Sequence, residues 1–199
     1  MAPSPPADAD DLEAIRSVLA GDEDAFRRLV DKYGSSIYNL AYRMTGSPVD
    51  AEDLAQDAFL QAYSRLKDFR VGARFHPWLY TIALNLCRNH LRHRSILRWL
   101  PLQRKTRDDE SVADVDPPSD DLDPEQALLD AESEERLQGA IQALSPKYRE
   151  IFLLRQSQEL SYEEIAQITG LPLGTVEVRL FRARKKLLET LGHKKMSTK

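Results

Sequence analysis

The sequence predicts an all-α fold: two small helical domains joined by an acidic flexible linker, the second domain containing a helix-turn-helix. Three observations carry that prediction. Apolar residues recur at helical spacing in nearly every segment, and none shows the sustained alternation of a strand. Charge is blocked, with 5 basic and 12 acidic groups in residues 1–60, 11 and 1 in 61–107, 1 and 13 in 108–136, and 11 and 6 in 137–199. The stretch from Leu160 to Leu187, LSYEEIAQITGLPLGTVEVRLFRARKKL, then reads as a capped helix, a glycine turn and a second helix ending in a basic run. A net charge of −4 hides two basic blocks. Each could meet phosphate locally while the whole chain repels free DNA, so weak DNA binding by the isolated protein is expected.

The elements follow in order. Residues 1–10 are rich in Pro and Asp and read as a disordered tail, without the basic start and apolar middle of a signal peptide. Residues 11–100 form the N-terminal domain, with helices predicted at about 11–20, 22–33, 35–44, 48–66 and 77–94, and breaks at Gly21, Gly34 and Gly46. Ser47, Pro48 and Asp50 give the fourth helix an N-cap, a first-position proline and an acidic first turn. Residues 101–124 form the linker: from Asp108 to Asp123 the chain is Asp, Pro and Ser with scarcely any large apolar residue, too little to offset ordering entropy. The C-terminal domain occupies 125–192, its first helix opened by Pro124, its second capped by Ser145 and Pro146, and the helix-turn-helix after them. Residues 193–199 read as a basic tail.

Within the helix-turn-helix, Ser161 and Glu164 form an S-x-x-E capping box and Gly170 sits where the first helix must turn. In the second helix Val176, Leu180, Ala183, Leu187 and Leu191 fall on one stripe that can pack inward. Thr175, Val178, Phe181, Arg182 and Lys185 lie opposite, flanked by Glu177 and Arg179. Arg can donate to guanine O6 and N7, Thr and Val can meet a thymine methyl, and Lys185 and Lys186 suit phosphate. Phe181 and Val178 have no place on a merely solvated face. A basic helix end alone would simply complement the macrodipole, but joined to a capped helix and glycine turn it points to DNA.

At this point two blocks resemble a known family, the extracytoplasmic-function (ECF) sigma factors of bacterial RNA polymerase. SPVDAEDLAQDAFLQAYSRLKDFR with FHPWLYTIALNLCRNHLRHR is similar to the family's polymerase-binding and −10-reading domain. LSPKYREIFLLRQSQELSYEEIAQITGLPLGTVEVRLFRAR is similar to its −35-reading domain. The resemblance implies promoter recognition and opening in complex with core RNA polymerase. Asp53, Gln56, Asp57 and Leu60, an acidic helix face with one apolar centre, would dock the clamp helices of the largest subunit. The flap region is a second implied polymerase contact. Phe69, Ile82, Asn85, Leu86 and Asn89 would hold unstacked −10 bases, with Arg88, Arg92, Arg94 and Arg98 on backbone phosphates. Asn suits such a role because its amide offers donor and acceptor to a base edge, although paired Asn residues on a helix are commonly surface groups. Trp78 and Phe75 are read as core. The −35 duplex would meet Thr175, Glu177, Val178, Arg179, Phe181, Arg182, Lys185 and Lys186. Many relatives carry a basic and a small polar residue where Glu177 and Val178 stand, and an acidic one at Asn89, which implies a different −35 preference and leaves the −10 base choice open. An anti-sigma protein is a further implied partner.

The residues point away from other classes. Cys87, His90 and His93 recur at a spacing of three but rotate by about 60° around a helix and lack a fourth ligand, so no metal or cofactor is expected. There are no clustered carboxylates or nucleophile–base pair, which argues against an enzyme. A single Cys allows no intramolecular disulfide, and the longest nearly apolar run, 78–87, is too short for a membrane span. A cytoplasmic protein without membrane insertion is expected. The rival reading is a stand-alone helix-turn-helix repressor, which predicts a dimer, a palindromic site and tight binding to free duplex. As a tether, the linker of about 25 residues spans roughly 85 Å extended but only about 25–30 Å as a random coil. DNA sites one or two turns apart, about 35–70 Å, would need the extended form.

Overall fold

The computed structural model describes residues 8–70, 72–99, 124–156 and 160–195, which form eight α-helices and two 3-10 turns with no strand among them. Helix α1 (Ala9–Leu19) begins before the predicted Asp11 because Asp8 caps it, its carboxylate accepting from the Asp10 amide at 3.2 Å. Residues 8–10 thus belong to the domain rather than to the tail. Asp11 is buried and accepts from the Tyr33 hydroxyl at 2.5 Å and from Lys32 at 2.7 Å, which ties α1 to the next helix.

After a 3-10 turn (Glu23–Ala25), α2 (Phe26–Thr45) runs unbroken through Gly34, against the break predicted there. A helix-interior glycine costs about 1 kcal/mol. The stripe of Leu29, Tyr33, Ile37, Leu40 and Met44 is buried along the whole length of α2, and each large apolar side chain contributes about 1.5–3 kcal/mol. Packing therefore outweighs the local signal. Gly46 does end α2, in the left-handed conformation at φ 77°. Ser47 then caps α3 (Pro48–Ser64), accepting from the Asp50 amide at 3.2 Å. A second 3-10 turn (Leu66–Asp68) leads to α4 (Phe75–Trp99), which starts two residues ahead of the predicted Pro77. Pro77 fits its first turn, where an N–H has no intrahelical acceptor.

The second half comprises α5 (Pro124–Ala143), α6 (Pro146–Gln156), α7 (Tyr162–Thr169) and α8 (Leu173–Lys195). α8 takes in the start of the predicted basic tail. Apart from Pro124, the predicted linker lies outside the described residues, as do residues 1–7 and the Arg98 side chain. No helix among the described residues is long and apolar enough to cross a membrane.

Buried apolar residues of the two halves form one connected cluster, from Ile37, Leu79 and Leu84 to Ile151, Leu154 and Ile165. α2 meets α5 and α6, and α4 meets α7. The contact has a specific polar part. A helix end leaves carbonyls without intrahelical donors. Buried Arg149 supplies donors to two such ends at once: Ile141 (3.1 Å), Gln142 (2.5 Å) and Leu144 (3.1 Å) at the end of α5, and Met44 at the end of α2. Gln138 and Gln142 donate to the Tyr42 and Arg43 carbonyls at 3.2 and 2.8 Å. The second half thereby caps a helix of the first.

Candidate nucleic-acid interface

The helix-turn-helix is built from α7 and α8. Ser161 Oγ accepts from the Glu164 amide at 3.2 Å while Glu164 Oε2 accepts from the Ser161 amide at 2.8 Å, closing the predicted capping box. Gly170 takes the left-handed conformation at φ 71° and its amide donates to the Ala166 and Gln167 carbonyls, so the chain reverses there. In α8 the predicted stripe faces inward, with Val176, Leu180, Ala183 and Leu187 buried and Leu191 half-buried. Glu177, Val178, Phe181, Arg182, Lys185 and Lys186 are exposed, and Thr175 and Arg179 half-buried. Phe181 is 70% exposed and Val178 48% exposed, an apolar pair standing out from a basic face.

The start of α6 completes this surface. Lys147 and Tyr148 share a cleft of about 330 Å³ with Gly174, Thr175, Arg179 and Arg182. Lys147 Nζ lies 5.2 Å from the Tyr148 ring centre, and the Arg182 hydrogen bond, assisted by the nearby cations, holds the Tyr148 hydroxyl below its usual pKa. A cleft with two arginines, a lysine and a hydroxyl donor suits an anionic oxygen. Sequence reasoning missed Lys147 and Tyr148, which lie 27 or more residues before Thr175. The only local signal was a Lys-Tyr pair in the first turn of a capped helix.

The predicted −10 residues divide. Asn85 and Asn89 are exposed one turn apart on α4, with Leu86 half-buried and Arg92 exposed beside them. Phe69 and Ile82 are instead core, 5% and 6% exposed. Phe69 packs edge-on against Phe75 and Trp78, at ring separations of 5.9 and 5.2 Å, so it braces the start of α4 rather than offering a face for stacking. Trp78 packs against the core as predicted, half-buried. Arg94 pairs with Asp50 at 2.9 Å, and Arg88 reaches across to Glu150 of α6 at 2.8 Å.

Asp53, Gln56, Asp57 and Leu60 are all exposed on α3, Leu60 by 60%. Beside them opens an apolar groove of about 440 Å³, lined by Phe26 and Val30 of α2 and by Ala55, Phe59, Leu60 and Tyr63. Gly34 lines the same groove, where its missing side chain leaves the floor open. The acidic face is legible in the sequence but this groove is not, because one side of its wall comes from α2. Cys87 is fully buried, and burial pushes its thiol up to about 12. Among the described residues no group of His, Cys, Asp or Glu is arranged to hold a metal.

Two family models match the chain. Residues 29–96 match sigma-70 region 2, and residues 134–187 match sigma-70 region 4. The chain is 37% identical over 182 residues to the ECF RNA polymerase sigma factor SigW of Bacillus subtilis, covering 89% of this chain and 94% of that one. It is 38% identical over 182 residues to the RNA polymerase sigma-H factor of Pseudomonas aeruginosa, covering 91% and 93%. Among solved structures, the sigma factor RpoE bound to the anti-sigma factor NepR from Bartonella quintana aligns with a TM-score of 0.64 at 27% identity, over 84% of this chain and 96% of that one. CnrH in complex with the cytosolic domain of CnrY shares the fold, with a TM-score of 0.68 over 92% of this chain and 98% of that one.

Proposed function

Because this chain belongs to the ECF sigma factors of RNA polymerase, we propose that it joins core polymerase through α3, reads −35 duplex with α8 and holds unpaired −10 bases on α4. The observation that carries the reading is the outward face of α8. An exposed Phe and Val among Arg and Lys suit a major groove, where apolar groups meet thymine methyls and guanidinium groups meet guanine. Lys147, Tyr148 and Lys186 would fix the helix on the phosphate backbone without reading sequence. Glu177 accepts from cytosine N4 and repels phosphate, and thereby selects the bases in front of it.

On α4, Asn85 and Asn89 would hydrogen-bond extruded bases, with Leu86 against a base face and Arg92 on phosphate. Phe69 and Ile82 support this face from beneath. Each extruded base costs a few kcal/mol of stacking and pairing, which bound pockets and polymerase contacts must offset. The groove beside Leu60 accepts apolar side chains of a helix whose basic residues meet Asp53 and Asp57, the chemistry expected of the polymerase clamp helices. The structurally similar RpoE is bound to an anti-sigma factor, which supports an anti-sigma partner here, covering the α3 and α8 faces.

Run-off transcription with core polymerase on a randomised promoter library tests the function. The expected outcome is polymerase-dependent initiation from an asymmetric two-part site. Tight binding of a dimer to a palindromic duplex without polymerase would replace this reading with the repressor.

A further inference from the structure

Tyr148 stands where the proposed −35 surface passes from base reading to phosphate binding. It lies in the first turn of α6, which packs against α8, and its half-buried ring rests on the core. The ring is therefore a fixed post, while its hydroxyl meets the cleft and hydrogen-bonds Arg182 of α8. An arginine can only donate, so the tyrosine oxygen is the acceptor and its own proton remains available for another partner. Lys147 Nζ lies 5.2 Å from the ring centre, and Lys186, one helical turn beyond Arg182, also acts on the hydroxyl. No acidic side chain is among the described residues that line the cleft. An anionic oxygen placed there would meet cations and a phenolic donor together.

Arg182 gains an orientation from this contact. It is exposed, and a long exposed side chain loses rotamer freedom when it settles into one pose. A bond to a ring seated on the core removes part of that freedom before DNA arrives, which lowers the cost of binding. A guanidinium carries more N–H donors than guanine O6 and N7 can take, so one bond to Tyr148 still leaves a fork for the base. The acceptor is also neutral. Arg179, the cleft's other arginine, lies 3.9 Å from the Glu150 carboxylate, whereas the tyrosine oxygen positions Arg182 without neutralising its charge.

We propose that Tyr148 is a positioning residue for sequence recognition: it accepts from Arg182 to present that side chain to a −35 guanine, and donates its proton to a neighbouring phosphate oxygen. This rests on the sigma-factor reading above and deepens it. Tyr148 touches no base, yet it governs the preference for one, because a single hydroxyl ties the base-reading arginine to the backbone register. A phosphate contact alone would strengthen binding to every sequence alike.

The test uses the full chain with core polymerase on promoters randomised across the −35 region, and reads the base preference at each position from the transcripts. Wild type, Tyr148→Phe, Arg182→Ala and the double variant are compared. Arg182→Ala should flatten a guanine preference at one position, which identifies the base pair it reads. Tyr148→Phe keeps the ring and should melt with wild type, yet lower the guanine preference at that same position about three- to tenfold, the worth of one hydrogen bond. The other positions should keep their preferences. In the Arg182→Ala background, Tyr148→Phe should change no base preference, since the two residues act as one unit. A loss spread evenly over the −35 positions overturns the positioning role and leaves Tyr148 a phosphate contact only. An unchanged preference at the Arg182 position, a Tyr148 effect that persists without Arg182, or an Arg182→Ala profile with no position altered overturns it as well. Absence of any initiation by wild type would overturn the sigma reading, and this inference with it.

Discussion

Leu180 and Phe181 are neighbours in α8 with opposite surroundings, so truncating each in turn tests the phase of the proposed recognition helix. Leu180 is 3% exposed within the second half's core, and Leu180→Ala removes packed methyl groups and leaves a cavity. Such changes destabilise by about 2–5 kcal/mol. For a chain of this size that lowers Tm by roughly 4–20 °C, since each kcal/mol shifts it by about 2–4 °C. Phe181 is 70% exposed, so Phe181→Ala should change stability by less than about 0.5 kcal/mol. Its effect should fall on DNA. Losing the ring against a thymine methyl removes about 1–2 kcal/mol of discrimination, a five- to thirtyfold loss in −35 preference. Thermal unfolding followed by circular dichroism reads the first quantity, and run-off transcription on templates altered at single −35 positions reads the second. A Phe181→Ala protein that melts as low as Leu180→Ala, or that keeps the wild-type −35 preference, would refute the assignment of this face to DNA.

The remaining expectations concern the other surfaces. Asn85→Ala should impair initiation on duplex promoters while sparing templates already melted at −10; an equal loss on both kinds of template would reject base capture. Leu60→Asp, at an exposed position, should leave the melting temperature within about 2 °C of wild type yet abolish co-purification with core polymerase. Retained co-purification would remove α3 from the docking surface. Burial raises the Cys87 pKa to about 12, above the ordinary thiol value of 9.0, so the folded state keeps its proton longer than the unfolded one. The resulting stability is fully present below the unfolded pKa and is lost as pH rises from about 9 towards 12, which denaturant titrations at alkaline pH should show as a steeper loss for wild type than for Cys87→Ala.

Much of the fold could be read locally. The cap at Ser47, the box of Ser161 and Glu164 and the turn at Gly170 each involve residues three or fewer apart or a single backbone conformation, so the chain's own chemistry decides them. The inward stripe of α8 follows likewise from the 3.6-residue period, and with it the outward placement of Val178, Phe181, Arg182 and Lys185. Gly34 shows the limit of local reading: its propensity favours a break, but the continuous burial of the α2 stripe overrides it. Phe69 and Ile82 show another limit. An aromatic in a loop and an apolar residue on a helix look alike whether they face a base or a core, and here α4 packs so that both face inward.

By itself, then, the sequence determined the helices, their ends, the faces they turn outward and the family to which they belong, because all of these depend on residue type and short spacing. Tertiary structure alone decided which surfaces are complete and which charges are already taken. The groove beside Leu60 needs α2 against α3, the cleft at Arg182 needs the start of α6, and Glu150 reaches Arg88 across 62 residues of chain. A side chain's period fixes its direction on its own helix, but its partner is set by where another helix comes to rest.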